Sequence, residues 1–248
     1  MIQWLAQRVP LQRHAFVEFG VQDYRESNTR FLVELDDWEG LIIDAGDEHR
    51  AFLERTELGW RHSVTAKQAF LTVENLNDVI RDAGFDGDVG LVSIDVDGVD
   101  YWLLEALTVV SPRILVVEYN SLFGPEASVT VPYSPGFDRA VAHHSGLCFG
   151  ASLLALTQLA NRKGYALVGS NSAGTNGFFV RRDVLGAMAE VAPADAWREA
   201  RVRQARDVSG LLTYVTGHRE QLALIEGCVV VDVESGRQVT VGERIPFR

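Results

Sequence analysis

The sequence predicts an α/β protein built on a doubly wound, mostly parallel sheet of seven strands, with an antiparallel edge strand and a small C-terminal appendage of helix and hairpin. Three observations carry that prediction. Short apolar runs alternate with segments of helical periodicity along most of the chain. The runs are apolar on both faces, as strands covered by helices on either side must be. Carboxylates gather at the ends of those runs, where an open parallel sheet places its ligands.

The strands are read from "HAFVEFG" (14 to 20), "GLIIDAG" (40 to 46), "VGLVSIDVDG" (89 to 98), "RILVVEYNS" (113 to 121) and "GYALVGSNS" (164 to 172), all rich in Val, Ile, Leu and Phe. Helices are expected between them at 27 to 37, 47 to 57, 73 to 84, 100 to 110 and 150 to 164. "NGFFVRRD" (176 to 183) follows "SNSAGT" too closely for a crossover, so it returns by a hairpin as the antiparallel edge strand. Residues 1–185 thus form the main domain and 186–248 the appendage. In the latter, "VLGAMAEVAPADAWREARVRQARD" reads as helical and charged, and "CVVVDVESGRQVTVGE" reads as strand, Ser-Gly turn and strand. That apolar hairpin can extend a sheet across a homodimer or cover the domain's own edge.

Composition narrows the function. A chain of 248 residues with 47% hydrophobic content buries a full core. A formal charge of −11 and the absence of a basic block with interleaved aromatics argue against nucleic acid. No apolar run suits a signal peptide or a membrane span, so no membrane partner and a cytoplasmic setting are expected. The two cysteines, Cys148 and Cys228, belong to no CxxC pair and are expected to be isolated buried thiols.

The stretch "LVSIDVDGVDYWLLEAL" (91 to 107) concentrates the chemistry. Period-two alternation places Ser93, Asp95 and Asp97 on one side of the strand, with the two acids at its carboxyl end. Asp100 opens the following helix and reads as a cap. Trp38 and Trp102 read as packing residues, and Asn171, Ser172 and Asn176 as turn formers. Asp44, at the tip of the second predicted strand, suits a ribose because one carboxylate accepts from two vicinal hydroxyls. Gly20 is the only glycine of the first turn, so the GxGxxG that carries a pyrophosphate is absent, which points to a cofactor without phosphates.

The segments "VEFGVQDYRESNTRFL", "GLIIDAG", "SIDVDGVDYWLLEAL" and "PRILVVEYN" resemble, in order, those of class I S-adenosylmethionine-dependent methyltransferases, and more specifically the FkbM-type family, over roughly residues 15 to 125. The chain departs from that family in its first turn, which lacks a second glycine, and in carrying Asp97 where glutamate is common. The resemblance implies a Rossmann-like methyltransferase fold and S-adenosylmethionine as cofactor. It places Glu18 and Gly20 by the methionine end, Asp44 on the ribose, "VTAKQAF" (64 to 70) with Ala66 by the adenine, and Gln22, Ser27 and Asn28 of the first turn in the cofactor site.

The implied reaction is methylation of a hydroxyl on a small polar acceptor, with carbohydrate modification the expected role. Asp95 or Asp97 can accept the proton, or both can hold Mg²⁺ or Mn²⁺ with Glu118 and Asn120 completing an oxygen shell. His143 and His144 offer an imidazole base instead. Two other readings stand beside this one. "SIDVDGVD" also looks like the DxDG motif of haloacid-dehalogenase-type phosphatases, although that motif ends the first strand of its sheet. A non-catalytic nucleoside-binding module shares the same fold-level features.

Overall fold

The computed structural model describes residues 1–201 and 204–245. Among these residues ten strands are formed: β1 (Ala15–Phe19), β2 (Glu39–Asp44), β3 (Val64–Gln68), β4 (Gly87–Ile94), β5 (Val110–Glu118), β6 (Val129–Thr130), β7 (Tyr165–Ser170), β8 (Asn176–Arg181), β9 (Val229–Asp232) and β10 (Arg237–Thr240). Seven of them build one sheet in the order β3-β2-β1-β4-β5-β8-β7, and β10-β9-β6 build a second. The expected doubly wound, mostly parallel sheet is therefore present.

β1 pairs in parallel with β2 on one side and β4 on the other, so the chain winds outward in both directions from the β1/β4 seam. That seam is the topological switch point, where open parallel sheets place their ligands at the carboxyl ends of the strands. β1 is buried along its whole length, as is β4 from Val89 onward, which is why both read as unbroken apolar runs. β7 and β8 are joined by residues 171–175, and β8 is inserted between β5 and β7, so the edge of the sheet is β7 rather than the strand expected at 176 to 183. The Asn171 side chain closes that hairpin by accepting from the Thr175 and Asn176 amides at 2.9 and 3.1 Å.

Two strands, β3 and the two-residue β6, were not legible in advance. β3 carries three exposed polar residues, Thr65, Lys67 and Gln68, and little apolar content, because it is the outer edge of the sheet, where a charged residue discourages pairing with another chain.

The chain divides into two compact units, one of residues 1–96, 103–116 and 179–187, the other of 97–102, 117–178 and 188–248. In the second unit the β9–β10 hairpin forms as expected, antiparallel, and β9 also pairs with β6. A cluster of Leu122, Phe123, Val129, Val131, Leu147, Leu222, Ile225, Val230 and Val241 packs around it.

The expected helix over 185 to 207 does not form. Only Pro193–Ala196 makes an α-helical turn, and Val202 and Arg203 lie outside the described residues. The reason is competition for backbone groups. The Arg198 amide donates to the Tyr119 hydroxyl at 3.1 Å, the Ala200 amide to Ser121 Oγ at 2.9 Å, and Arg206 bridges to Leu212. Alternating charges without an apolar stripe give a helix nothing to bury, so these tertiary partners win.

Candidate functional site

In the first unit the site grows from β1. Its Glu18 is buried, yet its carboxylate is not an open ligand for a small molecule. Oε1 accepts from the Asn28 amide at 2.7 Å, and Oε2 accepts from the Thr29 hydroxyl, which in turn meets the Tyr24 hydroxyl at 3.3 Å. Asn28 Nδ2 donates to Ser93 Oγ of β4 at 3.0 Å, and Ser27 Oγ accepts from the Arg30 amide at 3.1 Å, fastening the start of helix Arg30–Asp36. Glu18, Ser27 and Asn28 thus shape the turn after β1 rather than present free groups. Burial pushes the Glu18 carboxyl up to about 7, against the hydrogen bonds from Thr29 and Asn28 that favour its charge.

Gly20 sits at the switch point itself. Its φ is +75°, and a Cβ there would come within 1.6 Å of the Asp95 carbonyl oxygen at the end of β4. No side chain fits, so the turn passes flat against β4 and leaves the carboxyl end of β1 bare. Gln22 is also left-handed, with φ 48°, and this turns its amide onto Asp44.

Asp44 Oδ2 accepts from the Gln22 amide and Oδ1 from the Gly46 amide, each at 2.8 Å. Two backbone donors therefore fix the carboxylate in one orientation while each oxygen keeps a lone pair for a further donor. Asp44 is half-buried, so these lone pairs are partly open to solvent. Ala66 of β3 is half-buried and lines a surface pocket with Arg50, Leu53, Gly59, Trp60 and Val64.

The acids after β4 separate in role. The strand ends at Ile94, so the expected alternation through Asp97 stops there. The Asp95 amide still donates to the Phe19 carbonyl at 3.3 Å, which holds Asp95 beside the end of β1. Asp97 has φ 57°, off the strand path, and its Oδ1 accepts from Arg139 Nη1. That guanidinium also lies 4.9 Å over the Phe149 ring. Arg139 was missed in the sequence because nothing local links it to a residue so far upstream. Asp100 is buried at the first position of the helix Asp100–Ala106, a first-turn acid, and accepts from the preceding Gly98 amide at 3.1 Å.

The expected Mg²⁺ or Mn²⁺ site at Asp95, Asp97 and Glu118 is not formed. Among the described residues no three His, Cys, Asp or Glu side chains gather to hold a metal ion. Asp97 answers to Arg139 instead, and Asn120 spends its side chain on the chain itself, donating to the Leu147 and Phe149 carbonyls at 2.9 and 3.0 Å and accepting from the Leu122 amide at 3.0 Å.

His143 and His144 lie in the second unit with ring centroids 4.2 Å apart. His143 Nδ1 meets Ser145 Oγ at 2.8 Å, and burial together with His144 lowers its pKa, so it is neutral near pH 7. It lines a cavity of about 650 Å³ with Val131, Phe137, Cys148 and Cys228. The two cysteines are not isolated, contrary to expectation: both line this one cavity. Trp38 is buried edge-on to His14, and Trp102 Nε1 donates to the Val131 carbonyl at 2.8 Å, both packing roles as expected.

No known family's sequence model matches the chain, and no curated protein matches it in sequence, so the FkbM-type resemblance does not become membership. Solved structures do resemble it in three dimensions. M. capricolum TrmK in complex with S-adenosyl-homocysteine shares 9% identity over 72% of this chain and 65% of its own, with a TM-score of 0.40. The ribosomal protein L11 methylase from Lactobacillus delbrueckii subsp. bulgaricus shares 12% over 73% and 77%, with a TM-score of 0.41. PKMT2 from Rickettsia typhi shares 11% over 74% and 52%, with a TM-score of 0.47.

Proposed function

We propose that this chain is an S-adenosylmethionine-dependent methyltransferase acting on a hydroxyl of a small polar acceptor, with a carbohydrate or sugar-bearing metabolite as the preferred class. The observation that carries the reading is the Asp44 carboxylate, fixed by two backbone amides at the tip of β2, beside a turn at the switch point whose Gly20 admits no side chain. A ribose-gripping acid without a phosphate-binding glycine loop suits a nucleoside cofactor that carries no phosphate. The seven-stranded sheet with its antiparallel edge is the fold that the methyltransferase resemblance implies.

When bound, S-adenosylmethionine supplies an electrophilic methyl group on a sulfonium. The protein's share is orientation and removal of one proton. Asp44 orients the nucleoside through its remaining lone pairs. Glu18 acts indirectly, holding Asn28 and Thr29 so that the turn keeps its shape. Asp95 takes the proton from the acceptor hydroxyl. Asp97 is hydrogen-bonded to Arg139, so one of its oxygens is already engaged by a guanidinium. The DxDG phosphatase reading draws no support from a motif that follows the fourth strand and has its second acid paired to arginine.

The test is calorimetric titration with S-adenosylhomocysteine, followed by turnover on a panel of sugars. The wild-type chain is expected to bind at one site, Asp44→Ala to bind at least tenfold more weakly while circular dichroism shows it folded, and Asp95→Asn to bind normally but lose most turnover. Absence of binding by the folded wild-type chain would sink the proposal.

A further inference from the structure

We infer that Cys148 and Cys228 form a dithiol couple that closes reversibly to an intramolecular disulfide, with Cys228 as the attacking thiol and Cys148 as the resolving one. This inference is independent of the methyltransferase reading.

The geometry has three parts. First, both residues face the same cavity of about 650 Å³, large enough to admit a small oxidant. Second, both pack into one apolar cluster, Cys148 at 4% exposure and Cys228 partly open at its margin. The accessible thiol is therefore the one an external reagent meets first. Third, each is presented by fixed backbone. Asn120 clamps the carbonyls of Leu147 and Phe149, the two neighbours of Cys148. Cys228 donates its amide to the Ile225 carbonyl and accepts at its own carbonyl from Val241, both at 2.9 Å. The thiols are thus held together by the fold, although 79 residues separate them in the chain.

Their exposures divide the roles: Cys228 is the partly open thiol and Cys148 the buried one. In the same sense, the Cys228 neighbour and burial raise the pKa of the Cys148 thiol, while Cys148 lowers that of Cys228. The oxidant is a low-molecular-weight disulfide. The Cys228 thiolate attacks one of its sulfurs and expels the other as a thiolate. The Cys148 sulfur then attacks the Cys228 sulfur and expels the second thiolate, while the proton of Cys148 passes to a leaving thiolate. Two protein thiols are oxidised and one external disulfide is reduced to two thiols. The product staples the loop 143–150 to the entry of the β9–β10 hairpin.

The test is to treat the native full chain with oxidised glutathione and measure its intact mass. Because the chain has only these two cysteines, the outcomes are distinct. The expected result is a monomer lighter by two hydrogens, with a Cys148–Cys228 linked peptide after digestion, reversed by dithiothreitol. Cys148→Ser is expected to trap one glutathione on Cys228, and Cys228→Ser to remain unmodified over the same period. Glutathione adducts on the wild-type chain without a bridge, a bridge only between two chains, or closure only in denaturant would each overturn the inference.

Discussion

Replacing Glu18 by Gln tests whether the turn after β1 is organised around a carboxylate that the fold would rather keep protonated. The glutamine carbonyl can accept from the Asn28 amide as Oε1 does now, and its amide can donate to Thr29 Oγ1, whose hydroxyl proton then turns to Tyr24. The network survives while the charge goes. In the wild type, burial raises the Glu18 carboxyl from 4.5 to about 7. A raised folded value means that the contribution is full below the unfolded pKa and is lost as pH climbs through the folded one. Between about pH 4.5 and 7 the wild type should therefore lose roughly 3 kcal/mol that the Gln variant keeps, at about 1.4 kcal/mol for each pH unit of displacement. Urea unfolding of both proteins, from about pH 5 to about pH 8, reads this directly, because every other group titrates alike in the two and cancels in the difference. The variant's relative stability should rise across that window and level off above it. A flat difference curve, or one that falls with pH, would refute the argument.

Other positions give sharper contrasts. Gly20→Ala combines a left-handed backbone with an overlap against the Asp95 carbonyl, so a loss of about 2–4 kcal/mol and of S-adenosylhomocysteine binding is expected, measured by thermal unfolding and calorimetry. Arg113 is nearly buried and pairs with Asp88 at 2.8 Å, while Arg181 holds the other Asp88 oxygen at 2.9 Å. Burial pushes the Asp88 carboxyl up, but the two guanidiniums outweigh it and hold it below its ordinary value. Arg113→Ala should cost about 2–4 kcal/mol, whereas Arg13→Ala, which breaks the more exposed pair with Glu39, should cost under about 1 kcal/mol. Denaturant midpoints for the two variants settle the comparison, and equal losses would contradict it.

The sequence by itself determined the buried strands, the divergent sheet and the acid at the tip of β2, because each is written in short-range pattern. Fully buried strands must be apolar on both faces, and a carboxylate can close such a run only where it finds donors. The β9–β10 hairpin was legible for the same reason, as two apolar runs about a Ser-Gly turn. Only the tertiary structure decided what those groups do. The partner of Asp97 is Arg139, 42 residues further along, and the two oxygens of Glu18 accept from Asn28 and Thr29 of the next turn. The 196–207 segment has the charges of a helix, yet its described amides find Tyr119 and Ser121 instead. Cys148 and Cys228 come to line one cavity only because β9 pairs with β6 and the loops around that pairing are tied down. Periodicity reports a residue's neighbours within a few positions; a partner far along the chain is chosen by topology, which no local spacing encodes.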